Sequence, residues 1–201
     1  MSTVTPTLDG DVLTVLASGE ATFTTGQLHR ILRRYSEEGI RKVLRRLAKQ
    51  GIVHAERIGP AFAYRLNRDH LAAEHIIGLA QLPRTFLKRL EDRLASWRVP
   101  PVYAAVFGSV ARGSMTVDSD VDLLLIRPDD VEDDLWHGQV DHFVTEVTRW
   151  VGNDTRALEF TTAEVVAHDL EQPVLSDVLR EGLTVAGSRT WLAEQLRKGA
   201  G

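Results

Sequence analysis

A chain of 201 residues, 43% hydrophobic and 26% charged, can form one large domain or two small ones, and its composition excludes the disordered and fibrous classes. No apolar run approaches the ~20 residues of a membrane-spanning helix, and the opening MSTVTPTLDGD lacks the basic flank and apolar stretch of a secretory signal, so a cytoplasmic location without a membrane partner is expected. The formal net charge of -4 hides an asymmetry: residues 1–66 carry 10 Lys/Arg against 6 Asp/Glu, residues 67–100 carry 6 against 4, and residues 101–201 carry 8 against 18, which suggests nucleic acid as a partner for the front and cations for the back.

In chain order, Leu8 to Ala17 places Leu8, Val12, Leu13, Val15 and Leu16 at near-helical spacing, and Gly19 ends the pattern. Thr25 is a candidate N-cap for a short second helix carrying Leu28, Ile31 and Leu32 on one face. Ser36 can cap a third helix, whose Ile40, Val43, Leu44 and Leu47 follow the i, i+3, i+4, i+7 pattern until Gly51 stops it. The other face of that helix carries Arg41, Lys42, Arg45, Arg46 and Lys49. Residues 52–57 and 62–66 then read as two strands joined around Gly59-Pro60.

Three helices followed by a hairpin resemble the winged helix-turn-helix of many bacterial regulators, over about residues 8–66. The resemblance implies that the third helix enters the major groove of double-stranded DNA, with Arg41, Lys42, Arg45, Arg46 and Lys49 near phosphates and base edges while the hairpin touches the flanking backbone. Such modules usually read paired half-sites as symmetric dimers, so a homodimer is expected. The same five charges also suit a plain solvated face, and winged helices also serve as protein-docking modules.

Residues 69–97 continue with apolar positions at near-helical spacing, broken at Pro83, and are expected to form two helices joining the domains. Pro100-Pro101 makes a firm break. The expected division is a first domain at 1–68, a helical linker at 69–99 and a second domain at 100–201.

In the second domain, residues 103–107 are a short apolar run that ends abruptly at Gly108-Ser109, a buried strand opening into a turn. A second apolar strand runs over 121–126, with Asp120 and Asp122 at its entrance, where residues two apart point to one face. Two carboxylates held together repel unless a cation lies between them. With no cysteine in the chain, any metal must be held by oxygen or imidazole ligands, and magnesium suits one or two carboxylates with phosphate oxygens completing its shell. Glycine at 108 lets a phosphate approach the backbone, and Ser109 offers both an N–H and a hydroxyl.

Gly108, Ser109, Arg112, Gly113, Ser119, Asp120 and Asp122 resemble the signature of the nucleotidyltransferase superfamily related to DNA polymerase beta: Gly-Ser, about ten residues, then Asp-x-Asp at the start of a strand. The resemblance implies an α/β (α+β) fold, with a mixed sheet flanked by helices behind the winged helix-turn-helix. It also implies Mg2+ (or Mn2+) on Asp120 and Asp122, with ATP or another NTP bridged to the metal and Gly108, Ser109, Arg112 and Ser119 lining the nucleotide. A third carboxylate on a later strand is implied as well, and Glu159, in the strand-like stretch 156–160, is the candidate metal ligand and catalytic acid. Arg112 can pair with triphosphate oxygens or with Asp118. The acidic run Asp129, Asp130, Glu132, Asp133 and Asp134 reads as a solvated loop and helix N-terminus, and His137 and His142 lack a ligand spacing. Residues 173–180, 184–186 and 190–198 are expected as helix, edge strand and helix.

The second domain is short, like the minimal nucleotidyltransferases. Members of that group often act as antitoxins, some transferring AMP to a partner toxin of the HEPN ribonuclease type, and a fused winged helix would suit autoregulation. The leading expectation is therefore transfer of AMP from ATP to a protein hydroxyl by a DNA-binding antitoxin. An aminoglycoside-type small-molecule adenylyltransferase, and a nucleotide-sensing transcription regulator without turnover, remain the alternatives.

Overall fold

The computed structural model describes residues 7–113, 116, 119–167 and 173–199. The chain divides into two compact units, Met1–Thr85 and Phe86–Gly201, each with its own core.

In the first unit, α1 (Leu8–Ala17) is capped by the Thr7 hydroxyl, which accepts from the Gly10 N–H at 3.3 Å. A two-residue strand, β1 (Phe23–Thr24), leads into α2 (Thr25–Ile31). The cap of α2 is Thr24, one residue ahead of the expected Thr25, because Gln27 completes a capping box: the Thr24 N–H donates to Gln27 Oε1 at 2.7 Å and the Gln27 N–H to Thr24 Oγ1 at 3.2 Å. Ser36 caps α3 (Glu37–Lys49) as its spacing predicts, with Ile40, Val43, Leu44 and Leu47 buried. The antiparallel hairpin β2 (Val53–Ile58) and β3 (Ala61–Leu66) completes a sheet in the order β1-β3-β2. Val12, Leu16, Leu28, Ile40, Leu44 and Leu66 meet in one core, and α4 (Ala73–Ala80) adds Ile76 to it.

The second unit takes most of α5 (Leu82–Ala95), then β4 (Tyr103–Phe107), the single turn α6 (Gly108–Ala111) and β5 (Val121–Arg127). After it come α7 (Asp133–Val151), β6 (Thr155–Thr161), α8 (Thr162–Ala167), α9 (Pro173–Glu181), β7 (Leu183–Ala186) and α10 (Arg189–Gly199). The mixed sheet has the order β6-β5-β4-β7, with β4 antiparallel to both its neighbours and β5 parallel to β6. Period-two alternation gives β5 two apolar faces. Val121, Leu123 and Leu125 pack with Trp136, Val140 and Phe143 of α7 and Leu90 and Leu94 of α5, whereas Leu124 and Ile126 pack with Val165 of α8, Leu175 and Val178 of α9 and Leu192 of α10. Asp122 falls in the second set by parity.

One expectation needs correction. Residues 69–99 are not a linker apart from the cores: Ile76 is buried in the first, and Leu90, Leu94 and Trp97 in the second, because the apolar faces of α4 and α5 need cover. Among the described residues, no helix is long and apolar enough to cross a membrane.

Leu124 is fully buried at the centre of the sheet. Leu124→Ala is expected to cost about 2–5 kcal/mol of stability, read as a lower urea midpoint in tryptophan fluorescence; all four tryptophans lie in this unit.

Candidate active site

The site is built where β4 ends. Phe107 pairs with Asp122 across the β4/β5 ladder, and the next residue, Gly108, turns the chain with φ at 68°. A side chain there is excluded twice over: the backbone is left-handed, and a Cβ would run into Asp122 Oδ2. The expected glycine-then-aspartate pattern is therefore one packing unit, in which Asp122 fills the space that residue 108 leaves empty.

Asp120 lies just before β5, on a loop fixed from the turn that follows α7. The amide of Asn153, a buried residue, donates to the carbonyls of Ser119 at 2.8 Å and Thr116 at 3.2 Å. The Val121 N–H donates to the Asp154 carbonyl at 2.8 Å. Gly152 makes this possible by ending α7 in the left-handed conformation, so that Asn153 and Asp154 turn back toward the loop. Sequence reasoning missed Asn153, because its burial and its partners emerge only in the fold.

The two carboxylates feel each other. Burial, and then the charge of Asp120, push the Asp122 carboxyl above its usual range, while Arg156 and Arg112 pull it back. Arg156 sits directly across from Asp122 in the parallel β5/β6 register, and its guanidinium reaches Asp120 Oδ2 at 2.9 Å. The sequence reading did not single out Arg156; only the register reveals it.

Glu159 is not in this site. Its partner across the ladder is Leu125, which belongs to the face covered by α5 and α7, and the indole N–H of Trp136 donates to Glu159 Oε2 at 2.6 Å. On the Asp122 face β6 presents Arg156, Leu158 and Phe160 instead. Leu158 is 36% exposed. Among the described residues, no group of three or more acids or histidines is placed to hold a metal.

The other expected residues lie around the same turn with different partners. Arg112 pairs with Glu181 of α9 at 2.9 Å, and its alternative partner Asp118 lies outside the described residues. The Ser119 hydroxyl accepts from the Thr116 N–H at 3.0 Å, so it shapes the loop. Ser109 is half-buried on α6 immediately after Gly108. The acidic run behaves as a solvated helix start: Asp133 binds Arg127 at 2.6 Å, which lowers its carboxyl, and Asp129 accepts from the Ala163 N–H at 2.7 Å.

This donor set fits a divalent ion. Two carboxylates with a single arginine between them leave room in their charge balance for a cation that keeps water and phosphate oxygens as its remaining ligands, as magnesium does. Comparison with known proteins places the class. Residues 84–170 match the family model described as "Nucleotidyltransferase domain", a little under half of the chain, and the chain thus carries a nucleotidyltransferase domain. No curated protein matches the chain. Among solved structures, a toxin-antitoxin crystallised with AMP-PNP is similar at 12% identity and a TM-score of 0.41, over 56% of this chain and 82% of that one. The toxin-antitoxin MntA-HepT is similar at 10% identity and a TM-score of 0.38, over 58% of this chain and 82% of that one. Likeness this distant fixes neither substrate nor partner.

A carboxyl raised by folding binds protons more tightly in the folded than in the unfolded chain, so its ionised form weakens the fold once the pH exceeds the ordinary carboxylate range. Asp122→Asn, an isosteric change that still fits beside Gly108, is therefore expected to raise the Tm of the metal-free protein at pH 7. The gain should shrink as the pH falls through the carboxylate range, which thermal scans across pH will check.

Proposed function

We propose that the chain transfers a nucleoside monophosphate, AMP from ATP in the leading case, to a hydroxyl of a protein acceptor, with magnesium or manganese held by Asp120 and Asp122. The observation that carries this reading is the packing of Asp122 against the side-chain-free turn at Gly108, with Asp120 beside it. It puts an open backbone turn and a pair of acids at one strand end, which is what a metal-bridged triphosphate requires.

The chain's own contribution is placement. Gly108 lets the Asp122 carboxylate close against the turn, and Ser109 adds an N–H and a hydroxyl. Asn153 holds the loop that carries Asp120 before any ligand arrives. The metal would neutralise the triphosphate and favour in-line displacement at the α-phosphorus. The acceptor oxygen bonds to that phosphorus as the bond to the β-phosphate side breaks, pyrophosphate leaves, and the hydroxyl proton passes to water. Glu159, bonded to Trp136 on the other face, takes no part.

A protein acceptor is favoured because the described residues add no separate acceptor-binding layer to the four-stranded sheet and its helices, so the acceptor must bring its own surface. The toxin of a toxin-antitoxin pair is the acceptor that the resemblance to minimal nucleotidyltransferases suggests. For the first unit, the order α1, β1, α2, α3, β2, β3, with β3 central, supports a winged helix-turn-helix that presents α3 to double-stranded DNA, as a homodimer on paired half-sites. The five cations of α3 are not equivalent. Arg41 is held by Glu37 and Glu38, and Arg46 by Asp9, while Lys42, Arg45 and Lys49 are exposed and make no ion pair among the described residues.

Incubation with α-phosphate-labelled NTPs, magnesium and a lysate of the host is expected to label a protein band, and the double variant Asp120→Asn with Asp122→Asn to lose it. A labelled small molecule would overturn the protein acceptor, and full transfer by the double variant would overturn the site. Replacing Lys42, Arg45 and Lys49 with alanine is expected to weaken DNA binding and to lower the slope of log K against log salt by about 2–3, since each phosphate contact contributes roughly 0.9. An unchanged slope, measured by fluorescence anisotropy over a salt series, would make the unit a protein-docking module.

A further inference from the structure

We propose that Arg156 is a positioning residue that stands in for the cation on Asp120 until nucleotide arrives and then moves to the triphosphate, so that the metal enters as its nucleotide complex. The proposal rests on the metal-dependent reading given above.

Three observations carry it. Arg156 lies across from Asp122 in the β5/β6 register and contacts Asp120 at 2.9 Å, so one guanidinium serves both acids of the pair. It is the only charged residue that β6 places on that face, where the neighbouring positions are Leu158 and Phe160. Its side chain is 71% exposed while that of Asp120 is 29% exposed, so solvent leaves room for the arginine to change partners, whereas Asp120 follows a loop held by Asn153.

The charges then dictate the order of events. Asp120, Asp122 and Arg156 together carry one net negative charge, and a dication in the same place would be repelled by the guanidinium. Free metal must therefore displace Arg156 from its carboxylate into water, with no anion to receive it. A metal–triphosphate complex brings its own acceptor, because phosphate oxygens offer the planar, two-pronged hydrogen bonding that suits guanidinium. Arg112 is placed differently, since Glu181 holds it at 2.9 Å.

The test uses the full chain and manganese as probe. Free Mn2+ binding is followed by electron paramagnetic resonance, and binding of a non-hydrolysable ATP analogue with Mn2+ by calorimetry. Arg156→Ala is expected to tighten free Mn2+ binding about three- to tenfold, the scale for removing a partly screened like charge, and to weaken binding of the Mn2+–analogue complex by a similar factor. Arg156→Lys, which keeps the charge, should stay within about twofold of wild type for free Mn2+. Loss of a merely structural contact would not move the two affinities in opposite directions. If Arg156→Ala leaves free Mn2+ affinity unchanged while Asp120→Asn with Asp122→Asn abolishes it, the role of Arg156 is overturned and the metal site stands. If no Mn2+ binding depends on the two aspartates, with or without nucleotide, both readings fall.

Discussion

The second unit is organised by a steric constraint: the carboxylate of Asp122 occupies the space into which a Cβ at position 108 would project. That contact requires glycine in a left-handed turn, fixes where β4 must end, and ties the end to the register of β5, since Phe107 pairs with Asp122. The apolar alternation along β5 then does the rest. Leu123 and Leu125 commit one face to α5 and α7, Leu124 and Ile126 commit the other to α8, α9 and α10, and Asp122 is held where the second face opens at the strand end. Asp122 is thus positioned by a packed sheet, with Asp120 on the clamped loop just before it, so the burial and the neighbouring charge that push the Asp122 carboxyl upward are built into the strand end.

The parts legible in the sequence were those governed by local rules. Ser36 and the i, i+3, i+4, i+7 pattern defined α3, and the abrupt stop of an apolar run at Gly108 marked the turn. Thr24 rather than Thr25 capped α2 because the decisive partner, Gln27, sits three residues beyond the cap. The failure at Glu159 is of a different kind. Alternation says which residues of β6 share a face, but only the register with β5 says which face that is, and a shift of one residue would turn Glu159 to the Asp122 face and Arg156 away from it. No single-strand pattern holds that information. Asn153 was hidden for a related reason, since its partners Thr116 and Ser119 lie more than thirty residues earlier in the chain.

Formal charge overstated what the first unit offers an anionic partner. Five cations on α3 reduce to three once Asp9, Glu37 and Glu38 are placed, and the same acids stabilise the unit by pinning Arg41 and Arg46. Exposed pairs of this kind add little to stability individually. Their larger effect is to sort the helix surface, leaving Lys42, Arg45 and Lys49 as the charges available for exchange with counterions.

The active face follows the same logic with the signs reversed. A third acid beside Asp120 and Asp122 would deepen the negative potential and bind free metal strongly, whereas Arg156 at that position shallows it. On the proposed metal-dependent reading, affinity for the metal alone is given up for affinity that depends on the triphosphate, because a guanidinium displaced from a carboxylate into water regains charge-assisted hydrogen bonds to an anion only when phosphate oxygens are present. The acids and the exposed arginine differ accordingly: Asp122 is packed against Gly108 and Asp120 follows the Asn153-clamped loop, while the group proposed to change partners is the one whose side chain lies mostly in solvent.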